Sequence, residues 1–226
     1  MQNTNSTLRR HWIAAAILTA TATSASGVEP VDLGVGDPSP LPYCILVPDT
    51  PLDKDAKVIM VEGREVRVCC SDCVDQFLTD SFGWTSKIDE VIIRQQLPHY
   101  PLTTCIVDGK PLGANSFNYV FRNRLFRLCS GECQAKLEKA PAEFFGKLDF
   151  AVIEKQSPNY PLTECIVSGT PLGKDSTDHV VANLLIRLAD LDQIVRFNRT
   201  PGKYLAEFRK AVSKRAKGHK NSEEEE

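Results

Sequence analysis

Residues 100–113 read YPLTTCIVDGKPLG and residues 160–173 read YPLTECIVSGTPLG. The two stretches agree at eleven of fourteen positions and lie sixty residues apart, each around a single cysteine. A looser copy, LPYCILVPDTPL, occupies residues 41–52 with one extra residue between the cysteine and its Pro-Leu. A repeat of this period predicts tandem copies of one small structural unit.

Aligning the copies at that shift organises the rest of the chain. Cys69 falls on Cys129, and Cys73 on Cys133, while the third copy places Ala189 and Gln193 there and keeps only Cys165. In the first copy VIMV and EVRVC flank Glu62-Gly63, and in the second FNYVF and RLFRLC flank Arg122-Asn123. Short β-branched and aromatic runs on either side of such a turn predict a β-hairpin. CVDQFL and CQAKLEKA then read as a helix, with Cys73 and Phe77, or Cys133 and Leu137, on one face. Trp84, Phe144 and Tyr204 occupy equivalent positions and are expected to close a small core under that helix. A further helical stretch, IDEVIIRQQL or LDFAVIEKQ, leads into the next copy.

This arrangement gives each armed copy three converging sulfurs. The first cysteine sits on a turn before the hairpin, the second leaves its second strand, and the third lies in the first helical turn. Cys-x3-Cys puts two thiols on one turn, where the helix N-terminus is expected to favour thiolate. Clustered thiolates suit Zn²⁺ or Cu⁺. Disulfides are the competing reading, since the chain has eight cysteines and exported proteins usually pair them. Three cysteines in the second copy leave one over, and a Cys129–Cys133 bond along a helix is tight.

A lone cysteine, a hairpin, and then CSGECQAKLEKAPAEFFGKL resembles the TRASH and YHS group of small metal-binding modules. VCCSDCVDQFLTD resembles the same junction, and RFNRTPGKYLAEF resembles the helix end with its Pro-x-x-Tyr. The resemblance covers residues 41–86 and 100–148, and 160–210 in framework only. It implies an α+β fold of tandem zinc-ribbon or treble-clef-like modules, and roles in metal sensing, trafficking or resistance. Carried over by position, the metal ligands are Cys44, Cys69 and Cys73 in the first unit and Cys105, Cys129 and Cys133 in the second. Val47, Asp108 and Ser168 stand near the place where some relatives have a further cysteine. Asp108 is thus either a fourth ligand or a solvated loop carboxylate. Cys70, which replaces Ser130 at the expected helix cap, reads equally as an alternative ligand, an oxidation partner for Cys44 or a small buried residue. His99 is a lesser ligand candidate, and nothing draws Asp190, Asp192 and His179 of the third copy together.

The ends complete the expected organisation. Arg9 and Arg10, the apolar run from Trp12 to Ala20 and the small residues up to Ala25 read as a cleaved export signal over 1–25, with an uncleaved anchor as the alternative. A Pro-, Gly- and Asp-rich linker follows over 26–40, then modules at 41–98, 99–158 and 159–212, the last degenerate, and a charged tail at 213–226 that reads as a frayed helix end and a solvated terminus. Removing residues 1–25 takes away two arginines and no acids, so the formal charge of -2 becomes -4. That charge offers nothing to nucleic acid, and no stable membrane anchor is expected. With four histidines, no phosphate-binding glycine loop and no HExxH motif, the sequence suggests no enzyme. The expected protein is therefore exported, periplasmic or extracellular, and binds a soft metal ion for buffering, storage or hand-off. The alternative is a disulfide-stabilised module that binds a protein partner and no metal.

Overall fold

A computed structural model describes residues 36–223, with side chains as far as residue 214. The chain divides into two units, Met1–Asp32 and Leu33–Glu226, and every described residue belongs to the second. The expected signal segment and the first part of the expected linker lie outside the described residues. The second unit is mixed α+β, with three antiparallel hairpins and six α-helices among the described residues.

The elements recur with the period of the sequence. The first copy holds β1 (Lys57–Val61), β2 (Arg64–Val68), α1 (Ser71–Thr79) and α2 (Ser81–Gln96). The second holds β3 (Phe117–Phe121), β4 (Arg124–Leu128), α3 (Gly131–Lys139) and α4 (Pro141–Gln156). The third holds β5 (Thr177–Val181), β6 (Leu184–Leu188), α5 (Asp192–Arg199) and α6 (Pro201–Glu223). In each hairpin both turn residues have positive φ: Glu62 and Gly63 (51° and 75°), Arg122 and Asn123 (47° and 69°), Ala182 and Asn183 (55° and 57°). That is the turn whose twist matches the flanking strands, and Gly and Asn reach it at least cost.

Period-2 alternation lets the second and third hairpins each serve two cores. Phe117, Tyr119, Phe121, Phe126 and Leu128 pack on Leu137, Phe144 and Phe145 of their own copy. Val120 and Leu125, on the opposite face, join Ile88 and Ile92 of the preceding copy's α2. In the third copy Val180 and Leu185 meet Val152 of α4 in the same way. The expected aromatic under each helix is present, with Phe144 buried, Trp84 packed against the first core, and Tyr204 stacked on Phe197 at 5.6 Å.

Glutamine and asparagine side chains clasp neighbouring copies. Gln96, fully buried, accepts from the Leu125 amide at 2.8 Å and donates to the Asn123 carbonyl at 2.8 Å. Gln156 repeats this with Leu185 and Asn183, both at 2.9 Å. Asn123 Nδ2 donates back to the Glu65 carbonyl at 2.8 Å, and Asn183 Nδ2 to the Leu125 carbonyl at 3.0 Å. The third copy also reaches the first: Arg67 donates to the carbonyls of Asn198, at 2.6 Å, and Arg199.

One expectation about the ends changes. Within the expected linker, Asp37, Ser39 and Pro40 are buried, and Leu41 after them joins the first core. Asp37 holds the segment there. Its carboxylate takes Arg124 Nε and Nη2, each at 2.6 Å, and the Ala182 amide at 2.6 Å. A Pro- and Gly-rich composition marks both a solvated linker and a strap laid into a groove, and here charge pairing selects the strap. The expected tail from residue 213 begins inside α6, which continues to Glu223. No helix among the described residues is long and apolar enough to cross a membrane.

Candidate metal centre

The repeated fourteen residues form a knuckle that presents the first cysteine of each copy. The Cys105 amide donates to the Lys110 carbonyl at 2.7 Å, and the Gly109 amide to the Cys105 carbonyl at 2.8 Å. The Leu112 amide donates to the Thr103 carbonyl at 3.0 Å, and Thr104 bridges Pro111. Gly109 has φ 73° and Gly169 has φ 71°, which explains why a glycine stands there in both close copies. The Tyr100 hydroxyl accepts from the Arg127 amide at 3.2 Å, and that of Tyr160 from the Arg187 amide at 2.8 Å. The tyrosine thus fastens the knuckle to the second strand.

Two clusters result. Cys44, Cys69 and Cys73 place their ligand atoms within 4.8 Å of one another, and so do Cys105, Asp108, Cys129 and Cys133. Cys69 and Cys73 sulfurs are 3.6 Å apart, as are those of Cys129 and Cys133. A tetrahedron with metal–sulfur bonds of about 2.3 Å has edges of about 3.8 Å. None of the eight cysteines is disulfide-bonded. Cys44, Cys73, Cys105 and Cys133 are buried, whereas Cys69 and Cys129 are half-buried, so each cluster opens on the side of its middle cysteine.

The thiols do not ionise alike. Burial opposes the Cys105 thiolate, but the backbone N–H groups of Asp108, Val107 and Cys129 outweigh it and lower the pKa. Cys44 is lowered in the same way, against burial, by the N–H groups of Cys69, Val47 and Leu46. The expected helix-terminus effect does not prevail at Cys73. Burial, followed by hydrogen bonds with Cys70, Cys69 and Cys44, pushes that thiol upward. Burial, helped by the Cys44 and Cys70 thiols and opposed by Cys73, also raises Cys69, and burial with the Cys133 and Cys105 thiols pushes Cys129 up to about 12. The first cluster therefore has one sulfur readied by the knuckle and two, Cys69 and Cys73, whose protons an incoming cation must displace, and in the second Cys105 and Cys129 divide in the same way.

Asp108 belongs with the second cluster, both its carboxylate oxygens lying 3.4 Å from Cys129 Sγ. Lys110, at 2.9 Å, holds the Asp108 carboxyl well below the usual carboxylate range. Cys70 lies at the edge of the first cluster, 3.8 Å from Cys69, and is outside the mutually close trio. It sits at the N-cap of α1 without a side-chain cap bond, where Ser130 accepts from the Cys133 amide at 3.3 Å. In the third copy Asp190 caps Gln193 at 3.2 Å, and His179 lies edge-on to Phe197 at 5.5 Å. Neither joins Cys165, which is part of no ligand group among the described residues. His99 lies apart from both clusters, in a cavity against α6.

No protein-family model, curated protein or solved structure matches this chain. Its function therefore has to be argued from the clusters.

Proposed function

We propose that the protein binds a soft or borderline metal ion, Zn²⁺ or Cu⁺, at two trithiolate sites, for buffering, storage or hand-off and not for catalysis. One observation carries this reading: a three-sulfur cluster with metal-like spacing occurs twice, at positions sixty residues apart. The knuckle, hairpin and helix order supports the likeness to zinc-ribbon or treble-clef modules of TRASH or YHS type. Three protein sulfurs leave a coordination position open, which suits transfer over permanent locking. Export by the N-terminal segment belongs to the same proposal and would deliver the sites to the periplasm or outside the cell.

The donor sets distinguish the two sites. The first offers sulfur only, with Cys70 in reserve, and favours Cu⁺. The second adds the hard oxygen of Asp108 and favours Zn²⁺. Elemental analysis of the mature protein, purified without chelator and paired with thiol titration, tests the proposal. About two equivalents of metal are expected, falling by half in a Cys129→Ser/Cys133→Ser variant that retains copper in preference to zinc. Metal-free protein whose cysteines become reactive only after reduction would overturn it in favour of the disulfide-built module.

A further inference from the structure

The third copy departs from the other two at a pair of positions away from the cysteines. In the first copy Arg64 Nη2 lies 2.6 Å from Asp89 Oδ1, and in the second Arg124 Nη1 lies 2.7 Å from Asp149 Oδ1. Each pair ties the start of a hairpin's second strand to the copy's second helix. At the same positions the third copy has Leu184 and Arg209. The strand charge is gone, and a guanidinium stands where the helix carboxylate stood.

That guanidinium has no carboxylate among the described residues. Nε and Nη2 of Arg209 are buried atoms without a hydrogen-bond partner there, and burial works against its charge. Arg209 and Leu184 line a cavity of about 500 Å³, a size ordinary for small-molecule sites. Its walls come from the turn joining the first two copies (Pro98, His99), the end of α4 and the Tyr160 region, and α6 (Phe208, Val212). No Asp or Glu is among the lining residues. The other cation, Lys155, turns its Nζ toward the carbonyls of Tyr100 and Pro101, at 3.4 and 3.5 Å.

We propose that this cavity binds a small organic carboxylate with an apolar, ring-sized body, its carboxylate paired with Arg209, for which the third copy supplies no acidic partner on the strand. The apolar body would lie against Tyr160, Phe208, Leu184 and the two prolines. Inorganic phosphate would meet the same guanidinium and the polar side chains of Gln156, Asn159 and Ser213, but it has no body to cover Tyr160, Phe208 and Leu184, so it is expected to bind more weakly. The site is independent of the cysteine clusters.

Titration of the full chain with phenylacetate, followed by amide NMR, tests this against phenylacetamide, inorganic phosphate and a polyglutamate peptide. Saturable binding of phenylacetate at one site is expected, about tenfold or more tighter than the amide, as one charge-assisted bond warrants. Shifts should centre on Tyr160, Phe208 and Val212, and Arg209→Gln should erase the preference for acid over amide. Absence of phenylacetate binding, equal binding of acid and amide, or competition by phosphate or the peptide at matching affinity overturns the proposal. The acid-to-amide comparison on the unmodified protein decides the matter even if Arg209→Gln does not fold.

Discussion

A helix cap and a metal ligand make different demands on one atom, and position 70 lies between them. Ser130 and Asp190 bond the amide three residues on, at 3.3 and 3.2 Å, whereas the Cys70 sulfur makes only a looser contact with the Cys73 amide and no cap bond. Cys70→Ser should therefore restore a cap and raise the melting midpoint of the metal-free protein by about 2–4 °C, measured by circular dichroism. An unchanged or lower midpoint would show that the thiol is already satisfied where it stands. Proton competition gives a second prediction at this scale. Cys69 and Cys73 both have raised pKa values, so both hold protons at neutral pH that a bound metal must expel. Affinity at the first site should rise with pH by about two log units per unit across the neutral range. Competition with a chromophoric chelator would reveal a shallower slope if one of these sulfurs is not a ligand. Four of the six cysteines were legible from the period of sixty, which aligns Cys69 with Cys129 and Cys73 with Cys133, and Cys44 was legible from the looser copy, one residue out of step with Cys105. The cap vacancy at Cys70 and the approach of Asp108 to Cys129 were not, since both depend on which way a loop side chain turns.

At the scale of elements, the knuckle and hairpin act as one fitting, joined by the tyrosine that opens each close copy. Tyr100→Phe leaves the Arg127 amide without its acceptor in a buried place. It should lower stability by about 1–2 kcal/mol while leaving metal stoichiometry unchanged, as checked by urea denaturation and elemental analysis. Loss of metal together with stability would instead mean that the tyrosine sets the sulfur geometry directly. Hairpins, turns and first helices could be read from alternation and from Glu62-Gly63 and Arg122-Asn123. What alternation could not reveal is the partner of the outward face. Val120 and Leu125 look like ordinary strand residues, yet they pack against the preceding copy's α2. The clasping glutamines, Gln96 and Gln156, give no local signal, because their partners lie 27 to 29 residues further on.

Across the whole described unit, the centre is polar. Arg124 is 1% exposed and Asp37 6%, and their two-fold pairing joins the strap to the second hairpin, while Asp37 also takes the Ala182 amide of the third. Asp37→Ala strips a buried guanidinium of its main partner, leaving it Asp149 and the Val180 carbonyl. It should cost about 3 kcal/mol in denaturant unfolding, and a loss below about 0.5 kcal/mol, the range of ordinary surface changes, would show that Asp149 alone compensates. Nothing in the composition of residues 26–40 distinguishes this strap from a solvated linker, because its partners stand 87 and 145 residues away. That separation bears on the order in which the chain is made. Asp37 is among the first of the described residues to leave the ribosome, and its last partner emerges only with the third hairpin. Arg124 can take the carboxylate once the second hairpin is made, but the Ala182 amide completes the set only with the third, so each early copy can close its own knuckle before the strap is fully seated.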